Sequence, residues 1–64
     1  MTSDAAELLV RLVIAASPGE RDVLFALGDG ASPEQAAERL GVSRATLDVR
    51  LHRLRRRAER LIRD

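Results

Sequence analysis

A chain of 64 residues makes one small domain, and on folding it buries only about 60% of the surface its unfolded form exposes. With no cysteine and a single histidine, it has neither disulfides nor thiolate metal sites to supplement that small core, so stability must come from packing. The net charge of +1 hides an asymmetry: residues 1–43 hold three arginines against seven acids (−4), and residues 44–64 hold eight against three (+5).

Four helices follow in chain order, and no stretch alternates apolar and polar residues as a strand would. The expected fold is therefore all-α: residues 1–64 form one four-helix domain, with a C-terminal helix-turn-helix and a long basic last helix. The first helix is predicted over about residues 4–16. Ala5, Leu8, Leu9, Leu12, Val13 and Ala16 form one wide apolar stripe, and Asp4 and Glu7 stand at capping-box spacing. The second, about 18–28, opens at Ser17-Pro18-Gly19-Glu20. Ser17 caps it, Pro18 suits the first helical position, and Glu20 is placed to return a bond to the Ser17 amide. It is expected to bury Val23, Leu24 and Leu27, with Phe25 as a further candidate.

Gly28-Asp29-Gly30 closes this helix, because glycine enters the left-handed region without a Cβ penalty. The third helix, about 33–40, repeats the start signal as Ser32-Pro33-Glu34-Gln35 and turns Ala36, Ala37 and Leu40 inward. Gly41 stops it, Val42 fills the corner, and Ser43 caps the last helix, about 44–62. There Leu47, Leu51, Leu54, Ala58 and Leu61 recur at spacings of four, three, four and three, one continuous inward stripe. At about 100° per residue, the opposite side carries Ala45, Val49, His52 and Arg56, flanked by Asp48 on one edge and by Arg53 and Arg60 on the other.

A short capped helix, a glycine turn and a long arginine-bearing helix are what insertion into a DNA major groove requires. Arg44, Arg50, Arg53, Arg56 and Arg57 are the expected phosphate contacts. Base reading falls to Ala45, Thr46, Val49 and Arg53, of which Ala45 and Val49 can only pack against a thymine methyl.

From about Ala6 to Ile62 the chain resembles region 4 of bacterial sigma factors, especially the extracytoplasmic-function group. Ser17 to Leu24 resembles that family's "P-x-x-R-E-V-L" opening, Ala36 to Ser43 its "I-A-E-x-L-G-V-S", and Thr46-Leu47 through Arg50-Leu51-His52-Arg53 its "T-V-K-S-R-L-H-R-A". LuxR-type regulators share the glycine turn and basic helix, but the basic continuation and the helix before Ser17 fit sigma region 4 better. The resemblance implies a four-helix domain whose last helix reads the −35 promoter element while another surface docks on the RNA polymerase flap. Three positions depart from the pattern: Asp48 replaces the usual lysine or arginine, Val49 a small polar residue, and Ala36 an isoleucine. A complete sigma factor also has a separate domain for the −10 element, which 64 residues cannot contain.

The expected function is thus a DNA-binding module of bacterial transcription regulation, with double-stranded DNA as partner. The alternative is a sigma-like protein-interaction module that binds RNA polymerase, an anti-sigma protein or another regulator, motivated by Asp48 and Val49. No nucleophile with a nearby base, no phosphate-cradling glycine loop and no metal spacing is present, so neither an enzyme nor a cofactor is expected. His52 reads as a helix-surface residue, and Asp4, Glu7, Glu20, Asp22, Glu34 and Glu38 as capping and solubilising charges. No apolar run approaches the roughly 18 to 20 residues of a membrane span and no charged leader precedes a signal core, which points to a soluble, cytoplasmic protein. A homodimer is compatible with apolar residues left over at Leu8, Leu12 and Ile14, or at Leu61 and Ile62.

Overall fold

The computed structural model describes residues 2–63, with side chains from 5 to 63. Its elements are α1 (Thr2–Ala15), α2 (Pro18–Gly28), α3 (Pro33–Leu40) and α4 (Arg44–Arg63), and no strand occurs among the described residues. The all-α four-helix expectation holds. The bounds of α2 and α3 match, and α4 runs one residue further than expected. α1 begins earlier, so Asp4 sits inside the helix rather than at its cap; the Asp4 side chain itself lies outside the described residues.

Local hydrogen bonds explain where the helices start. Ser17 and Ser32 both have extended backbones, and each accepts from the amide three residues on, Glu20 at 3.3 Å and Gln35 at 3.2 Å. At Ser32 the box closes, because the Gln35 side chain accepts from the Ser32 amide at 2.9 Å. Ser43 does the same work for α4, its hydroxyl accepting from the Thr46 amide at 3.1 Å.

The two inner helices end alike. Gly30 (φ 93°) follows α2, and the amides of Gly30 and Ala31 donate back to Leu27 and Ala26. Gly41 (φ 68°) follows α3, and the amides of Gly41 and Val42 donate to Glu38 and Ala37. Both are Schellman closures, which need a left-handed residue after the helix and carry an apolar contact beyond it. At the first of them Gly30, rather than Gly28, takes the left-handed conformation. The last turn of α1 is closed differently: the Arg21 guanidinium donates to the Val13 and Ala16 carbonyls at 2.9 and 3.2 Å, a cap supplied by α2.

α4 is the central strut. Its 20 residues span about 30 Å at 1.5 Å per residue, close to the 34 Å long axis of the molecule. It packs against α1, α2 and α3, α2 also packs on α3, and α1 has no comparable contact with α2. The core is thin: of nine buried apolar residues five are alanines, with Leu12, Val23, Leu47 and Leu54 supplying the bulk. The predicted inward stripe of α4 is observed, fully buried at Leu47 and Leu54 and half-buried at Leu51, Ala58 and Leu61.

The apolar expectation for α1 needs correction. Leu12 and Ala16 are buried and Leu8 and Val13 half-buried, but Ala5 and Leu9 are exposed. α4 covers only one sector of a helix that is apolar around most of its circumference. On α2, Phe25 faces solvent, whereas Ala26, absent from the expected core, is buried.

Candidate nucleic-acid interface

α3, the three-residue turn Gly41-Val42-Ser43 and α4 form the helix-turn-helix unit, and α4 turns its polar side outward because its leucine stripe is taken up by the core. Ala45, Thr46, Asp48, Val49, His52, Arg53, Arg56 and Arg60 are all exposed. The outward face read from periodicity is therefore the observed one.

The arginines on that helix fall into two groups. Arg44, at its start, is held by acids: its Nε donates to Asp48 Oδ1 at 2.9 Å, and an Nη lies 3.9 Å from Glu34. Asp48 is thus paired with Arg44 one turn before it. Thr46, a candidate base reader, has its hydroxyl accepting from Ser43 at 3.0 Å. The first turn and a half of α4 is thus locally neutralised and internally bonded.

Arg50 is half-buried and lies across the start of α2: a Cβ placed on Gly19 would meet its Nε at 3.1 Å. The missing side chain at Gly19 is what lets the guanidinium rest there, a contact invisible in the sequence. Arg57 turns the same way. Its Nε donates to Glu20 Oε1 at 2.7 Å and a second nitrogen to Oε2 at 3.2 Å, while the Ser17 hydroxyl donates to Oε2 at 2.7 Å.

Glu20 is no solubilising charge, because only 4% of it is exposed; the Ser17 amide contributes the weakest of the interactions that hold it charged, and Arg57 the strongest. A carboxylate so enclosed survives because every oxygen is bonded and a guanidinium forks onto it. The Arg57 hydrogen bond, then the one from Ser17, lower its pKa from the ordinary 4.5 to about 2 against the opposing effect of burial.

A depressed carboxylate stabilises the fold fully above its unfolded value, and that contribution is lost as pH falls towards the folded value. Wild-type stability is thus expected to decline between about pH 4.5 and 2 with a component that Glu20→Gln removes. At neutral pH the same substitution should cost about 1–3 kcal/mol, since it removes the charge from a bidentate pair and puts an NH2 donor where one of the two acceptor oxygens stood. Urea unfolding followed by circular dichroism across that pH range measures both effects.

The remaining arginines form the second group. Arg53, Arg55, Arg56, Arg60 and Arg63 have no ion pair among the described residues. Arg53, Arg56 and Arg60, with His52 and the edge of Arg57, line a shallow concavity of about 220 Å³. Arg60 belongs to this set although only the flank of the predicted face suggested it. Of the expected phosphate contacts, the structure leaves Arg53 and Arg56 exposed and unpaired among the described residues, pairs Arg44 and Arg57 with acids, and lays Arg50, also without an ion pair, against the start of α2. Compared with protein-family models, curated proteins and solved structures, the chain matches none.

Proposed function

We propose that this protein is a double-stranded DNA-binding module of bacterial transcription regulation, related to sigma region 4, with α4 lying in the major groove. The observation that carries the reading is the set of unpaired arginines on the outward face of α4. Arg53, Arg56, Arg57 and Arg60 stand three and four residues apart, where like charges destabilise a helix by about 0.2–0.5 kcal/mol per pair. Among the described residues only Arg57 is paired with an acid, and Arg53, Arg56 and Arg60 have no ion pair to offset the repulsion. A polyanion converts that repulsion into attraction, and an α-helix of about 10–12 Å diameter fits a groove about 12 Å wide.

Phosphate contact centres on Arg53, Arg56 and Arg60. The residues nearest the bases, Ala45 and Val49, offer only apolar contact, and Asp48 is committed to Arg44. Binding is accordingly dominated by the backbone, with modest base selection. Such a role carries a cytoplasmic location with it.

The acid-neutralised start of α4 favours a second reading, in which the same fold binds RNA polymerase, an anti-sigma protein or another regulator. One titration separates the two. Under the DNA reading, anisotropy of a labelled duplex shows binding that weakens steeply with salt, with a slope of about −0.9 per phosphate contacted. No binding at low salt, or a flat salt response, would remove it. If Asp48→Lys alone creates binding that the natural chain lacks, the protein-interaction reading takes its place.

A further inference from the structure

We propose that the outer face of α1, together with the adjoining edge of α2, joins two copies of this chain in a two-fold dimer. Leu9 is 51% exposed, Val10 57%, Ile14 72% and Phe25 55%. They are not scattered. On α1, Leu9 and Val13 stand four residues apart, as do Val10 and Ile14, and the groove between the two helices is lined by Leu9, Val13, Leu24 and Phe25 among others.

This groove lies open because α1 packs mainly on α4 and touches α2 chiefly through the Arg21 bonds at its C-terminal end. Leu12, expected at such a contact, is buried in the core instead. Ile14 is retained from that expectation, and the surface shifts around α1 towards Phe25.

Size and shape point to a second copy as the occupant. The exposed parts of these side chains amount to on the order of 500 Å² per copy, so two copies reach at most the ~1,000 Å² at which a specific interface begins, which suits a weak, concentration-dependent dimer. The face also complements itself. Its N-terminal end carries Ala6, its middle Leu9 and Val10, and its C-terminal end Val13 and Ile14.

A two-fold axis between Leu9 and Val10 runs the helices antiparallel and sets Ala6 of one copy against the larger Val13 of the other. The same axis brings Glu7 on the edge of one α1 towards Arg11 of the other. The thin, alanine-rich core gives the association a thermodynamic purpose, because a domain of this size buries little apolar surface by itself.

The proposal is independent of DNA, and its test contains none. Sedimentation equilibrium from about 1 µM to about 1 mM should show the mass rising from 7.0 kDa towards twice that value. Ile14→Glu and, separately, Val10→Glu should each weaken the dimer at least about tenfold with helicity intact, since both side chains already face solvent. Two variants guard against one that fails to fold. Val49→Glu, on the far face of α4, should leave the mass unchanged. A mass fixed at 7.0 kDa throughout overturns the proposal, as does a dimer indifferent to both α1 variants or one abolished by Ile62→Glu alone.

Discussion

Leu47→Ala is expected to leave much of the population unfolded near 37 °C, the largest effect on stability of any single truncation in this chain. Leu47 is fully buried, on the helix that touches all three others. Truncating such a leucine costs roughly 2.7–5 kcal/mol, the upper end applying where the surroundings cannot close the cavity. Here they cannot, because five of the nine buried apolar residues are alanines, which have no rotamers with which to refill space. A domain of this length holds only about 3–10 kcal/mol in total. Leu61→Ala, at a half-buried position, should cost much less. Urea unfolding followed by circular dichroism compares the two, and equal shifts in midpoint would contradict the packing described for α4.

The second large effect concerns binding. Replacing Arg53 and Arg56 together with alanine should reduce duplex affinity about ten- to a hundredfold at low salt and flatten the salt slope by about 1.8, two phosphate contacts' worth. The same variant should be as helical as wild type or more so, because alanine favours helix and the like-charge repulsion is relieved. A loss of binding with a gain in stability is a signature that general unfolding cannot produce. Arg57→Ala would be a poor substitute, since it strips Glu20 of its partner and mixes a stability defect with any loss of phosphate contact.

These two experiments probe features that were unequally legible in the sequence. The leucine stripe of α4 announces itself by period, and Leu47 and Leu54 are buried where that period puts them. Arg53 and Arg56 were legible as outward residues by the same geometry. The same geometry sets Arg50 and Arg57 closer to the leucine stripe, on its border, but it does not show what they meet there: both turn back onto α2, Arg57 to Glu20 and Arg50 across Gly19. Glu20 misled for a related reason. Its place in the first turn of α2 is that of a capping acid, and the residue that claims it lies 37 positions away.

α1 was hard to read for the opposite reason, an excess of signal. Apolar residues surround most of its circumference, so periodicity alone could not say whether Leu9 or Leu12 meets the core. The answer depends on where α4 lies, and it buries Leu12 and exposes Leu9.

By itself the sequence determined the number of helices, nearly all of their ends and the inward side of α4. Those features rest on interactions within about four residues: the Ser17, Ser32 and Ser43 caps, the left-handed glycines, and one helical period. Only the tertiary structure decided which arginines remain free for an anion, how Glu20 comes to be buried as a carboxylate, and which side of α1 is left uncovered. Each of these turns on a contact between helices distant in the chain, where packing brings together groups whose separation in sequence carries no record of their meeting.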